Sequence, residues 1–183
     1  RVDEDLRRVL KEVKERNEEV VRRSKEETDR VEEDIERVIR DSERVSEEVK
    51  RRVDKAKKDV DEEEARKLEK EMKDIIDEDK ELLDRLREAL ERLKKEDEDL
   101  IEESERKTKE LEREVKKLED EGISEELAKE VVKRVRELVD RSRRLMTESV
   151  RKVRELVEDI RRRVRESVEK LRRLVEEIER RIR

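Results

Sequence analysis

Two aspartates, Asp79 and Asp97, occupy positions where helical stripes of this chain are otherwise apolar. Neighbouring carboxyl groups can serve as general acid and base when both reach one substrate. These aspartates are 18 residues apart in the sequence, which separates them by roughly 27 Å along a helix. The chain also has no His and no Cys. We therefore expect no catalytic residues, no metal site, no cofactor and no enzyme activity.

Composition narrows the class of protein further. The chain has 183 residues, of which 63% are charged, with one Gly and no Pro or aromatic residue. Disorder is disfavoured because Val, Leu and Ile recur at helical spacing. No apolar run approaches a membrane span, and a net charge of −6 argues against nucleic acid as a partner. We expect a soluble protein without a natural compartment, cytoplasmic on recombinant expression.

Two breaks divide the sequence into three helices. Gly122 suits the left-handed position that ends a helix, Ile123 is expected to cover the preceding turn, and Ser124 is a candidate N-cap of the next helix. The other break lies at Asp61, a candidate N-cap with Glu64 three residues later as its capping-box partner. The predicted helices span about 2–58, 62–120 and 125–182.

An 18-residue repeat runs through the predicted helices, as in the series Val13, Val31 and Val49. Eighteen residues complete five turns at 3.6 residues per turn, which favours nearly straight helices. Each apolar stripe covers roughly 120–140° of its helix, enough to contact two neighbouring helices. The pattern predicts an all-α, up-down-up three-helix bundle, a coiled-coil-like rod forming a single domain over residues 1–183.

The stripe edges also bear on assembly. One apolar stripe per helix predicts a monomer without partners, although Val21, Ile39, Ile76 and Leu145 at the edges leave room for weak self-association. Charge is divided between the helices, with a net charge of −11 over residues 61–123 and +6 over residues 124–183. We expect this division to disfavour wrong helix pairings rather than to add much stability, because exposed ion pairs contribute little.

Polar residues inside the stripes form three predicted layers. In an antiparallel pair, facing residues have constant index sums: Asn17 with Ser104, Ser24 with Asp97 and Ser42 with Asp79 all sum to 121. Between the second and third helices the corresponding sum is 246. The first layer is Asn17, Ser104, Thr108 and Ser142; the second is Asp97, Ser24, Thr28 and Ser149; the third is Asp79, Ser42, Ser46 and Ser167.

Each layer has one amide or carboxylate that can accept hydrogen bonds from hydroxyl groups on the other helices. Buried polar groups are tolerated when they are paired, so the layers predict buried hydrogen-bond networks that fix helix register. The alternative is that the Ser and Thr hydroxyls bond to carbonyls of their own helices.

Taken together, the chain resembles de novo designed parametric helical bundles with buried hydrogen-bond networks. The resemblance covers the whole chain and rests on the 18-residue repeat, the Gly122 loop, the Asp/Glu/Lys/Arg surface and the repeated polar layers. It implies a hyperstable structural scaffold without native activity. Two other functions stay open: a module that exchanges a helix with a partner, and an amphipathic bundle that binds lipid surfaces.

Overall fold

Residues with high helix propensity, chiefly Glu, Lys, Arg and Leu, fill almost the whole chain, and three long α-helices result. The computed structural model describes residues 2–122 and 124–182, without the side chains of Val2, Asp3, Leu118, Ile178, Arg181 and Ile182. The helices are α1 (Val2–Lys57), α2 (Glu62–Glu121) and α3 (Glu125–Ile182). The described residues contain no strand. The all-α, three-helix prediction is confirmed, with α1 ending one residue earlier and α2 one residue later than predicted.

The turn between α1 and α2 is short and is closed at both ends. At the end of α1, the Asp59 amide donates to the Ala56 carbonyl at 3.2 Å. At the start of α2, a carboxylate oxygen of Asp61 accepts a hydrogen bond from the Glu64 amide at 2.8 Å. This bond satisfies one of the amides that a helix leaves unpaired at its N-terminus. Asp61 therefore serves as the N-cap of α2.

The turn between α2 and α3 depends on Gly122. Its φ of 90° lies in the left-handed region that side chains disfavour, and it lies directly after the last residue of α2. The Ser124 hydroxyl accepts a hydrogen bond from the Leu127 amide at 3.3 Å, so Ser124 caps α3. The prediction that Ile123 covers the last turn of α2 lies outside the described residues.

Side-chain contacts show the helix directions. From α1 to α2, Arg7 pairs with Glu119 and Lys14 with Glu112 near one end of α1, and Lys57 pairs with Glu69 near its other end. Within each of the chain's two compact units, partner numbers fall as α1 numbers rise, so the α1 and α2 segments of that unit are antiparallel. The further interhelix pairs are Arg87 with Glu43, Arg134 with Glu114 and Arg52 with Glu179.

The chain forms two compact units, each containing segments of all three helices. The first unit comprises Arg1–Arg30 and Arg92–Lys152, and the second comprises Val31–Glu91 and Val153–Arg183. Each unit has its own apolar core. The first core contains Leu6, Val13, Val115, Ala128, Val131, Val135 and Val139, and the second contains Val49, Val53, Ala56, Leu68, Met72, Ile76, Leu171 and Val175.

Residues at the predicted stripe edges differ in their exposure. Ile76 is buried in the second core, and Val21 and Ile39 are partly buried. Leu145 is exposed, with 39% of its surface accessible, and it is joined by Leu127 at 40%. The edge prediction was therefore wrong for Ile76, because that position lies within reach of both neighbouring helices.

Candidate functional site

The buried polar residues are the candidate site, and the first cluster lies in the first unit. Asn17 on α1, Ser104 on α2 and Ser142 on α3 are all buried. The Ser104 hydroxyl donates to the Asn17 amide oxygen at 2.6 Å, which joins α1 to α2 inside the core. Thr108 is partly buried, and its hydroxyl donates to the Ser104 carbonyl of its own helix at 2.8 Å. One interhelix bond therefore forms in this cluster.

The second cluster, also in the first unit, is centred on the buried carboxylate of Asp97. The Thr28 hydroxyl on α1 donates a hydrogen bond to one of its oxygens. The other oxygen and the buried Ser24 hydroxyl have no partner at hydrogen-bond distance. Ser24 still lies close enough to lower the pKa of Asp97. Ser149 on α3 is partly buried. Asp97 thus has one firm partner and a second hydroxyl nearby.

The third cluster lies in the second unit, and its carboxylate has no partner. Asp79 is only 2% exposed, yet neither of its oxygens accepts a hydrogen bond, and the buried Ser42 hydroxyl is also unpaired. Ser167 on α3 lies near Asp79, but it donates its one hydroxyl proton to the Arg163 carbonyl at 3.0 Å. Ser46 is partly buried beside them. The third cluster therefore contains the residues of the predicted network, but the predicted hydrogen bonds between them are not formed.

Local helix geometry explains why several hydroxyls turn away from the predicted centres. A Ser or Thr side chain in a helix can reach the carbonyl four residues earlier without any tertiary contact. Thr108 and Ser167 both make this bond, and so does the exposed Thr147, which donates to the Arg143 carbonyl at 2.8 Å. Within the described residues, Ser142 and Ser149 make no side-chain hydrogen bond to their predicted layers. The local bond therefore competes directly with the interhelix one.

Burial sets the charge state of the two aspartates. Removal from water raises the pKa of Asp79 from its ordinary 3.8 to about 6, and the negative charge of Glu78 acts in the same direction, whereas Ser167 lowers it. Burial likewise raises the pKa of Asp97, against the lowering effect of the hydrogen bond from Thr28 and of the nearby Ser24 hydroxyl. Near neutral pH, Asp79 is a buried carboxylate that is mostly ionised at a cost in stability.

A cavity next to Asp79 is a feature that the sequence pattern did not indicate. It has a volume of about 350 Å³ and opens between α1 and α2 of the second unit. Ser42, Ser46 and Asp79 line it, together with the apolar side chains of Ile76 and Leu83. The clue in the sequence is the small size of the two serines, which fill less volume than the Val, Leu or Ile of an apolar layer.

The two buried aspartates belong to separate parts of the fold. Asp79 and Asp97 lie in different units, and the described residues contain no group of three His, Cys, Asp or Glu side chains placed to hold a metal ion. No helix in the described part of the chain is long and apolar enough to cross a membrane. The chain matches no protein-family model, no curated protein and no solved structure.

Proposed function

We propose that this chain is a structural scaffold, of the kind represented by de novo designed helical bundles, and that its buried polar residues specify how the helices pair. The proposal is supported by three long helices with apolar stripes, by capped turns and by a surface of charged side chains. As for such bundles, we expect a hyperstable monomer without enzyme activity.

The observation that carries the proposal is a pair of buried bonds between α1 and α2. Thr28 donates to Asp97, and Ser104 donates to Asn17. A slipped helix would set Asp97 against apolar positions without a donor, and an unpaired buried charge is costly. The correct register keeps both pairs, so the polar residues penalise the alternatives more than they stabilise the native state.

The role of the polar residues in helix pairing is tested by comparing two changes in stability. One follows the removal of a single hydrogen-bond partner, and the other follows the removal of a whole layer. Asp97→Val alone leaves the Thr28 hydroxyl without its acceptor, and we expect a loss of about 1–3 kcal/mol, moderated because Thr28 can turn to its own helix. Asp97→Leu combined with Ser24→Ala, Thr28→Val and Ser149→Ala replaces the layer with apolar groups. We expect that variant to be neutral or more stable, since it avoids burying a carboxylate.

Guanidinium unfolding of the two variants decides between the outcomes. Equal losses in the single and fourfold variants would show that the residues do not act together. Register itself is checked by disulfide trapping, with cysteine pairs placed at exposed interhelix positions in both variants. If the fourfold variant is as stable and still traps a single register, the polar residues do not specify pairing and the proposal fails.

A further inference from the structure

The second unit encloses the Asp79 carboxylate away from both water and hydrogen-bond donors. Both carboxylate oxygens and the Ser42 hydroxyl are buried, and none of the three has a hydrogen-bond partner among the described residues. The cavity beside Asp79, about 350 Å³ between α1 and α2, does not reach these buried atoms. Roughly nine in ten buried polar groups in proteins have a partner. An ionised Asp79 therefore gains the hydrogen bonds of water only when this unit opens.

The two units can open separately because their cores share no residue. The second core draws all of its residues from Val31–Glu91 and Val153–Arg183, and the first core draws its own from Arg1–Arg30 and Arg92–Lys152. Opening the second unit therefore exposes its core without breaking contacts inside the first core. Proteins commonly open in such compact parts, at a lower free energy than that of complete unfolding.

The carboxylates of the two units differ in what opening gives them. In the closed first unit, Asp97 already accepts a hydrogen bond from the Thr28 hydroxyl. In the closed second unit, Ser167 donates its proton to the Arg163 carbonyl at 3.0 Å, and neither oxygen of Asp79 accepts a hydrogen bond. Water replaces an existing partner of Asp97 but supplies the first partner of Asp79. Ionisation of Asp79 thus favours opening more than ionisation of Asp97 does.

We infer that the second unit is a pH-sensitive element that opens locally as Asp79 loses its proton, while the first unit stays closed. A neutral carboxyl group tolerates burial far better than a carboxylate does, so the protonated form keeps the unit closed. This pH response is independent of the proposed scaffold role, because it needs only a buried, unpaired carboxylate in a unit that has its own core.

The difference in proton affinity between the closed and open unit sets the size of the response. Burial raises the pKa of Asp79 from its ordinary 3.8 to about 6, and opening returns the carboxyl group to water. Because the closed unit binds the proton more tightly than the open unit, the equilibrium constant for opening rises with pH up to about 6 and is nearly level above it. Between about pH 5 and 7.5 we expect a rise of roughly tenfold.

Charged side chains surround Asp79 on all three helices. Side chains of the Glu, Asp, Lys and Arg types ordinarily keep their charge between about pH 5 and 8, so a response in this range points to Asp79. Arg87 is in addition held by Asp84 at 3.1 Å and by Glu43 at 3.5 Å. The charged groups are Glu43, Glu47 and Lys50 on α1, Glu78, Lys80, Asp84 and Arg87 on α2, and Arg163 and Lys170 one turn to either side of Ser167 on α3.

Amide hydrogen exchange, corrected for the intrinsic exchange rate at each pH, measures the opening in the unaltered chain. At about pH 7.5 we expect lower protection for core amides of the second unit than for those of the first. Asp79→Asn should raise second-unit protection roughly a hundredfold at about pH 7.5 and roughly tenfold at about pH 5.

Asp97→Asn is the matched control for hydrogen exchange, and it should leave second-unit protection unchanged because the first unit stays closed. Equal protection in the two units at about pH 7.5 would show that the whole chain unfolds at once and would overturn the inference. A second-unit response to Asp97→Asn as large as that to Asp79→Asn would overturn it as well.

A single thiol provides a second measurement, because the chain has no cysteine. Ser42→Cys and Ser24→Cys lie one 18-residue repeat apart, and both serines are buried. The labelling rate of each variant is divided by that of glutathione at the same pH. At about pH 7.5 we expect the Ser42→Cys variant to be labelled roughly tenfold faster than the Ser24→Cys variant, and Asp79→Asn to remove that excess. Equal rates, or an excess that survives Asp79→Asn, would contradict a pH-sensitive second unit.

Discussion

The Asp97 and Asp79 clusters are nearly the same set of residues in successive 18-residue repeats. Asp97, Ser24 and Ser149 correspond to Asp79, Ser42 and Ser167, and the one difference is Thr28 against Ser46. Thr28 bonds to its carboxylate, whereas Asp79 has no partner and lies beside a cavity. Within these two sets, the paired and the unpaired carboxylate differ in their partners by one methyl group.

Thr28 and Ser46 differ physically in the rotational freedom of their hydroxyl groups. A β-branched side chain has fewer accessible rotamers than serine, and its methyl group fills space next to the neighbouring helix. At Thr28 the hydroxyl faces Asp97. At Ser46 the smaller side chain leaves room beside Asp79 and Ser42. The comparison teaches that a buried polar layer needs packing to hold its donors, as well as the right number of donors.

The largest expected effect is on the pH dependence of stability. The native state holds the Asp79 proton up to about pH 6, against 3.8 for the ordinary carboxyl. Between these values the native state binds more protons than the unfolded chain, so stability falls as pH rises from 4 to above 6. At 1.36 kcal/mol per pH unit, the loss is on the order of 3 kcal/mol.

Asp79→Asn isolates this contribution, because it keeps the shape and removes the charge. We expect a gain of about 2–3 kcal/mol at pH 8 and almost none at pH 4, measured by guanidinium unfolding. Asp97→Asn is the matched control, and we expect a smaller gain at pH 8 because Thr28 stabilises the Asp97 carboxylate. A larger gain at Asp97 than at Asp79 would reverse the comparison.

Exchanging the one differing residue should exchange the behaviour of the clusters. We expect Ser46→Thr to supply Asp79 with a donor and to stabilise the protein at pH 8 by about 1–2 kcal/mol, a typical value for a hydrogen bond to a charged group. Thr28→Ser should cost about 1 kcal/mol through the lost methyl group and the freed hydroxyl.

Equilibrium unfolding of both variants and the double variant checks this exchange. Since the two positions are in different units, their effects should add. If Ser46→Thr leaves stability and the pKa of Asp79 unchanged, the missing methyl group does not explain the unpaired carboxylate.

The smallest expected effect concerns Ser167. Its hydroxyl donates to the Arg163 carbonyl of the same helix, so Ser167→Ala should change stability by less than about 0.5 kcal/mol at pH 8. If the hydroxyl instead turns to Asp79 in solution, its removal raises the pKa of Asp79 and costs about 1 kcal/mol. Unfolding at pH 8 with an NMR titration of Asp79 separates the two orientations, with Ser149→Ala as the equivalent substitution beside Asp97.

The sequence predicted the helices well because their signals are strong and local. Apolar periodicity located the buried stripes, Asp61 and Ser124 have the side chains that cap helices, and Gly122 is the residue that tolerates a positive φ. Constant index sums also indicated which residues of α1 and α2 face each other, as in the Asn17–Ser104 pair, and the predicted second layer contained both Thr28 and Asp97.

Hydroxyl orientation and packing could not be predicted in the same way. A local bond such as Thr108 to the Ser104 carbonyl and a bond across the bundle have similar energies, so side-chain surroundings decide between them. The cavity beside Asp79 depends on volumes contributed by residues on two helices. The pKa of Asp79 depends on how far its carboxylate is removed from water. A pattern of residue types does not contain that information.

The positive φ of Gly122 makes this position suitable for a D-amino acid. Its φ of 90° is the mirror image of a conformation that L-residues adopt readily, and, apart from its two chain neighbours, no atom of the described residues lies within 4 Å of the position that an L-side-chain Cβ would occupy. The obstacle to a side chain is therefore backbone chirality rather than crowding. Placing D-alanine there by chemical synthesis matches the required φ and reduces the freedom of the unfolded chain, so an otherwise L-protein would be stabilised by one residue of the opposite hand.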